Sequence, residues 1–203
     1  MNSKDEFSPR SFLRDRQAVL VHFSTVMTRH PDLAFPHDLL RAMGLKAVPL
    51  AFSTIQTGDT NPFVEGGRGG AEGSIGILVD IGPTTQIKSV SASDSGSNPD
   101  GSFGLPPTAE NCASSIDDRE TSNEWHIQDF VPIGIFVLPP LLTRQVGVFM
   151  GEPVSGDTPI TFDDAIAPFP GLRIFGARAD RFVEFDRASG KWRDIAYDEM
   201  IVP

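Results

Sequence analysis

The sequence predicts an α+β fold in which two N-terminal helices pack on a mostly antiparallel β-sheet, and the chain ends in a C-terminal β-hairpin. Apolar residues recur at helical spacing near the N-terminus, short apolar runs with turn residues between them follow, and an alternating pattern at 181–197 brackets a turn. A curled sheet or a partial barrel is an alternative form of this fold. A chain of 203 residues can build one full hydrophobic core, so we expect a single domain over residues 1–203.

The first predicted helix begins at Ser8, whose side chain can cap free backbone N–H groups, and Pro9 is its first residue. Its apolar face at roughly helical spacing consists of Phe12, Leu20, Phe23 and Met27. Pro31 is predicted to end it, because proline cannot continue the hydrogen-bond pattern of a helix.

A second, shorter helix is predicted from about Pro36 to Gly44. We expect Leu39, Leu40 and Met43 to face the core.

Short apolar runs predict the strands of the sheet. These runs are 48–55, 74–81, 84–90, 132–138, 145–150 and 172–177. The Gly-Pro pair at 82–83 predicts a hairpin between the second and third of them.

The sequence "RFVEFDRASGKWRDIAY" predicts the C-terminal hairpin, with 187–190 as a four-residue loop and Gly190 in a left-handed conformation. The predicted cross-strand pairs are Asp186 with Lys191, Phe185 with Trp192, Glu184 with Arg193 and Phe182 with Ile195. A shift by one residue would place Glu184 opposite Asp194, and like charges directly opposite destabilise a sheet.

The acidic residues are concentrated in one segment. Residues 94–124 hold seven carboxylates and one arginine, a net charge of −6 out of −10 for the whole chain. The wider segment 89–124 is rich in Ser, Gly, Pro, Asn and Asp, and it offers little apolar surface to offset the entropy lost on ordering. We therefore predict a long polar acidic loop or insertion at about 89–124.

Three features predict a cytoplasmic protein with no membrane contact. The N-terminus "MNSKDEFSPR" lacks the pattern of a secretory signal, and the longest apolar run, 130–142, contains three prolines and is shorter than a membrane span of about 20 residues. Cys112 is the only cysteine, so no disulfide can form within the chain.

The glycine-rich stretch "EGGRGGAEG" at 65–73 raises the possibility of a phosphate-binding loop. Such a loop follows a strand and leads into a helix, whereas these glycines precede a strand, and Glu65 and Glu72 would repel a phosphate. We therefore predict no nucleotide and no other cofactor. A flexible connection is one interpretation, and the other is a recognition loop in which Arg68 contacts a carboxylate or phosphate.

Neither a metal site nor a catalytic site is predicted. The spacing of His22, His30 and His37 matches no zinc signature. The "TFDD" sequence at 161–164 is typical of a helix cap, Glu184 and Asp186 belong to the hairpin, and Glu152 and Asp157 have no evident partner. Acidic neighbours are expected to raise the pKa of Cys112 and so to disfavour a nucleophilic thiolate.

These observations favour a non-enzymatic intracellular protein that binds another macromolecule, most simply a protein, as an inhibitor, adaptor or regulator. The predicted contact residues are Phe63, Arg68, Trp125 and His126. One alternative is a small hydrolase that uses a histidine or carboxylate cluster. Another is a structural subunit of an assembly, which exposure of the apolar run at 130–142 would favour. Nucleic acid is disfavoured as a partner, because the arginines of the first helix are typical of a solvated helix face. The sequence specifies no oligomeric state.

Overall fold

The computed structural model describes residues 7–24, 35–45, 47–58, 75–93, 104–119, 123–138 and 161–201. Within these residues the helices are α1 Pro9–Asp15, α2 His37–Gly44, α3 Ala109–Asp117, α4 Phe162–Ile166 and α5 Tyr197–Met200. The strands are β1 Val19–Phe23, β2 Leu50–Ile55, β3 Ile75–Asp80, β4 Gln86–Ser91, β5 Glu124–Gln128, β6 Val131–Val137, β7 Arg173–Ala177, β8 Phe182–Asp186 and β9 Lys191–Ile195. The predicted strand at 145–150 lies outside the described residues.

The nine described strands form one sheet in the order β4-β5-β2-β1-β3-β6-β7-β8-β9. Every neighbouring pair is antiparallel except β6 and β7, which are parallel. The mostly antiparallel α+β architecture predicted from the sequence is therefore confirmed.

The first helix is much shorter than predicted. Ser8 caps it by accepting the Ser11 N–H at 3.3 Å, and Pro9 opens it as expected, but it ends at Asp15. The chain then turns at Gln17, which adopts a left-handed φ of 49°, and enters β1. The prediction of a helix as far as Pro31 was wrong. Val19, Leu20 and Val21 are all buried, because β1 is a central strand with core residues on both of its faces. An apolar run of that length fits either element.

The second helix agrees with its prediction in position and in most of its packing. It spans His37–Gly44, with Leu39 fully buried and Met43 packed against the core. Leu40 does not face the core, since it is 44% exposed. Ala42 takes the second buried position of the helix instead.

The hairpin predicted at Gly82-Pro83 does not form. β3 pairs with β1 and β6, whereas β4 pairs with β5. Instead, residues 75–91 and 124–137 run antiparallel to each other, and both segments bend at the same place. Asp80 opposes Val131 before the bend, and Gln86 opposes Gln128 after it.

The bend curls the sheet. β5 and β6 are four positions apart in the strand order, yet only Asp129 and Phe130 separate them in the chain. In a flat sheet those strands would lie about 19 Å apart, whereas the three residue steps from Gln128 to Val131 span at most about 11 Å. Phe130 sits at the bend with its ring centroid 5.0 Å from that of Phe52. The curled form named as an alternative above accounts for this connection.

The acidic segment contains more structure than predicted. β4 runs to Ser91, and α3 occupies Ala109–Asp117 with Thr108 as its cap. Cys112, Ser115 and Ile116 on this helix are buried, so the prediction of a loop is wrong for this part of 89–124. The composition of this segment did not predict the helix, because Ile116 is the one large apolar residue among its buried side chains. Residues 94–103 and 120–122 lie outside the residues that the structure describes.

The core has two clusters, one on each face of the sheet. The larger contains residues of α1 to α4, and the smaller contains Met200 of α5. In the apolar run at 130–142, Ile135 and Val137 are fully buried and Ile133 is partly buried. Exposure of these residues would favour the alternative of a structural subunit, and their burial does not supply that support.

The C-terminal hairpin confirms the predicted register. Phe182 opposes Ile195, Glu184 opposes Arg193, Phe185 opposes Trp192 and Asp186 opposes Lys191. Gly190 has a φ of +66°, as the predicted left-handed turn requires.

A buried polar network joins α3 to the sheet through Asn123, which is 1% exposed. Its Oδ1 accepts the Thr54 N–H at 2.9 Å, and its Nδ2 donates to Thr54 Oγ1 at 2.6 Å and to the Ser115 carbonyl at 2.9 Å. Buried polar groups are costly when unpaired, so this side chain should contribute strongly to stability.

We expect Asn123→Ala to lower the free energy of unfolding by about 3 kcal/mol, because it leaves the Thr54 N–H and its other partners unpaired. Urea unfolding measures the change. Asn111→Ala is the matched control: that side chain donates to the Pro106 carbonyl at 2.9 Å at the surface, so its loss should cost less than about 1 kcal/mol. Equal losses for the two variants would contradict the central role of Asn123.

Candidate functional site

Two of the predicted contact residues, Phe63 and Arg68, lie outside the described residues. The described strands nevertheless explain the length of their loop. Val19 at the start of β1 opposes the end of β2, and Phe23 at its end opposes the start of β3. β2 and β3 are therefore parallel to each other, and they lie on either side of β1. Such a crossover needs a dozen or more residues, so the length of this loop does not by itself indicate a function.

The other two predicted contact residues are neighbours on β5 and point to opposite faces of the sheet. Trp125 is fully buried, and its Nε1 donates to Ser115 Oγ at 2.8 Å. It therefore offers no surface to a partner, and its assignment as a contact residue is corrected: the strand alternation turns it into the core. His126 points the other way, with its side chain 14% exposed.

His126 belongs to a cluster with a serine and a glutamate. Ser89 Oγ lies 3.1 Å from Nδ1 of His126, and Oε1 of Glu124 lies 3.9 Å from its Nε2. Ser89 on β4 is directly opposite His126, and Glu124 lies two residues before His126 on β5. The three side chains thus share one face of the sheet, opposite to Trp125.

A β-bulge places the serine in this position. The register of β4 against β5 shifts between Ile87 and Ser89, so Lys88 is the extra residue. In an unbroken register Lys88 would oppose His126. With the bulge, Ser89 opposes His126 and Val90 opposes Trp125, where Val90 is 1% exposed. Burial of Val90 and the Ser89–His126 contact therefore depend on the same irregularity.

The sequence pattern indicated His126 but not Ser89 and Glu124. Both lay within or at the end of the segment interpreted as a loop. The alternation in "EWHIQ", with Trp125 and Ile127 apolar and Glu124, His126 and Gln128 polar, is a strand signal that could have placed Glu124 beside His126. The bulge that brings in Ser89 has no comparable sequence signal.

His22 is a second partly buried histidine, and its surroundings favour the neutral imidazole. Its Nδ1–H donates to the Ala51 carbonyl at 2.7 Å, and its ring lies 5.6 Å from that of Phe52. Burial lowers the pKa of His22, and the Ala51 carbonyl and the Asp38 charge oppose this shift only in part. His22 therefore acts as a polar core residue.

The candidate carboxylates have structural partners. Thr161 caps α4 by accepting the Asp164 N–H at 3.1 Å, and its hydroxyl donates to Asp164 at 2.6 Å, which confirms the predicted cap. Burial would raise the pKa of Glu184, but the hydrogen bonds and charges of Arg173 and Arg193 outweigh it and hold the pKa below its usual value. Asp186 accepts the Ala188 N–H in the hairpin turn at 2.9 Å. Glu152 and Asp157 lie outside the description.

The arginines of α1 and the turn after it have carboxylate partners. Arg10 pairs with Asp80 at 2.5 Å, Arg14 with Asp198 at 2.9 Å, and Arg16 with Asp117 at 2.5 Å. These contacts tie α1 to β3, α5 and α3. They also neutralise much of the positive charge that a nucleic acid would require.

The described part of the chain contains no group of three or more His, Cys, Asp or Glu side chains arranged to hold a metal ion. In the same residues, no helix is long and apolar enough to cross a membrane. Comparisons with protein-family models, with curated proteins and with solved structures found no match to this chain.

The burial of His22 predicts a loss of stability as pH falls from about 7 to 5.5. The unfolded chain takes up a proton near the ordinary value of 6.5, whereas folded His22 takes it up only at lower pH. The free energy of unfolding should fall by up to about 1.4 kcal/mol per pH unit in this window, and the slope should be smaller in His22→Asn. His37 is exposed, so His37→Asn should keep the wild-type slope. Parallel curves for wild type and His22→Asn would contradict the assignment.

Burial raises the pKa of Cys112 to about 11. The direction agrees with the sequence expectation, although the cause is burial and not the acidic neighbours. We expect the native chain to resist a thiol reagent such as 5,5′-dithiobis(2-nitrobenzoate) at neutral pH, because the thiolate is scarce and the thiol is fully buried. The urea-unfolded chain should react at once. Equally fast reaction of the native chain would contradict this placement.

Proposed function

We propose that this chain binds another protein and that α2, with the turn after it, forms part of the contact surface. The observation that carries the proposal is the exposure of Leu40 and Val48, which are 44% and 48% exposed. They are two of four exposed large apolar residues among those the structure describes, and the other two, Leu105 and Val131, lie on separate segments.

The surroundings of Leu40 and Val48 suit a protein contact. Phe35 and Met43 from the same segment are partly buried against the core, which anchors the surface to the domain. Arg41 is exposed beside Leu40 on α2, and arginine next to apolar side chains is common at the centre of protein interfaces. We propose a partner that offers an apolar surface to Leu40 and Val48 and a carboxylate to Arg41.

Phe63 and Arg68 remain part of this proposal on the grounds given by the sequence. Phe63 is an apolar residue in a polar loop, and Arg68 can form a bidentate contact. His126 remains a third candidate. The proposal also places the protein in the cytoplasm, because a single unpaired cysteine is typical of a reducing compartment.

The proposal predicts that Leu40→Ser combined with Val48→Ser weakens partner binding and leaves the fold intact. Both side chains are largely exposed, so the free energy of unfolding should change by no more than about 1 kcal/mol. The partner is identified by affinity capture from the native host with quantitative mass spectrometry. Its purified form is then titrated against the wild type and the double variant, and we expect affinity to fall at least about tenfold.

The matched control is Leu105→Ser, which removes an apolar side chain that is 56% exposed on a different segment. It should bind as the wild type does. If the double variant binds the purified partner with wild-type affinity, the α2 surface is not the contact. A second double variant, Phe63→Ala with Arg68→Ala, then tests the loop separately. If this variant melts at the wild-type temperature but no longer binds the partner, the contact is assigned to the loop.

A further inference from the structure

We infer that Ser89, His126 and Glu124 form a nucleophilic site that accepts the acyl group of a small carboxylic ester. This activity is separate from the proposed protein contact through Leu40 and Val48. Its basis is the juxtaposition of a serine hydroxyl, an imidazole and a carboxylate on two paired strands.

The distances match the first step of nucleophilic catalysis. Ser89 Oγ is 3.1 Å from Nδ1 of His126, within hydrogen-bond reach of a general base. The carboxylate of Glu124 is 3.9 Å from Nε2 on the other side of the ring. In this proposal Ser89 and His126 are the catalytic residues, and Glu124 is a positioning residue beside the imidazole.

The placement is rigid because all three residues lie within a paired ladder. His126 is held between β4 and β2, opposite both Ser89 and Ala51. The bulge at Lys88 sets the serine opposite the imidazole, and such irregularities are frequent beside active sites because they redirect a side chain. Groups held in reacting geometry lose little entropy when the reaction occurs.

The reaction proceeds in two balanced steps. Ser89 Oγ attacks the ester carbonyl carbon while its proton passes to Nδ1 of His126. The C–O bond to the leaving alcohol then breaks, and the alcohol takes that proton, which leaves an acyl group on Ser89. In the second step water attacks the acyl carbon, its proton passes to His126, and the acid departs as Ser89 regains its proton.

Limited access restricts the substrate. Ser89 is 5% exposed, and the side chains of His126 and Glu124 are each 14% exposed. Since so little of the serine is exposed, we limit the proposal to the smallest acyl groups, and the substrate class is an ester of a short-chain carboxylic acid. The probe that fits this description is p-nitrophenyl acetate.

The test measures p-nitrophenolate release by the full chain and maps the acetyl group by peptide mass spectrometry. We expect one acetyl group on Ser89 in the wild type, and an acetylation rate about 100-fold above that of Ser89→Ala or His126→Gln. Ser91 lies two residues further along β4, opposite Glu124, and Ser91→Ala should behave as the wild type does.

Glu124→Gln provides a readout that a purely structural role would not move. Removal of the carboxylate should lower the acetylation rate of Ser89 while the thermal unfolding midpoint stays that of the wild type. Glu124→Asp should restore part of the wild-type rate. A wild-type acetylation rate in a folded Glu124→Gln chain would remove Glu124 from the site.

The mapping on the wild-type chain needs no variant, so a variant that fails to fold does not obscure the result. Circular dichroism and thermal unfolding check each variant before its rate is compared. Acetyl groups on lysines or histidines, with none on Ser89 in the folded wild-type chain, would overturn the proposal.

Discussion

The short link between β5 and β6 is the constraint on which the rest of this structure depends. Asp129 and Phe130 must connect strands that pair with β2 and with β3, so the sheet curls around them. Asp129 adopts a left-handed φ of 56°, and its carbonyl accepts the Thr85 hydroxyl at 2.9 Å. Because Thr85 also accepts the Gly82 N–H at 2.9 Å, the bend between β3 and β4 is fastened to the bend between β5 and β6. Hydrogen bonds through Thr85 therefore hold the two bends together.

The polar side chains around β5 lie on its two faces. On one face, Trp125 and Asn123 bond to Ser115 of α3, and Asn123 also bonds to Thr54 of β2. On the other face, His126 and Glu124 lie beside Ser89. The exposed apolar residues of α2 lie on a different segment and serve a separate purpose in our proposals.

Local rules made much of the fold predictable. Caps at Ser8 and Thr161 and the hairpin register from Phe182 to Ile195 depend on residues that are close in sequence. The rules failed where a distant partner decided the outcome. The run at 19–23 became a central strand because β2 and β3 flank it. The composition of 109–117 did not indicate a helix, because Ile116 is the one large apolar residue among its buried side chains. Of the cluster at β4 and β5, only His126 was found, because Ser89 reaches it through a bulge.

The sequence by itself determined the α+β class, the second helix, the C-terminal hairpin and the positions of most described strands, because periodicity, caps and turn residues act over a few neighbouring positions. Tertiary structure alone decided which strands pair. It also buried Trp125 while leaving His126 at the surface, and it brought Ser89 to within 3.1 Å of that histidine. The physical reason is that pairing between residues far apart in the chain is set by the packing of the whole core and by the reach of a two-residue link, neither of which any local segment records.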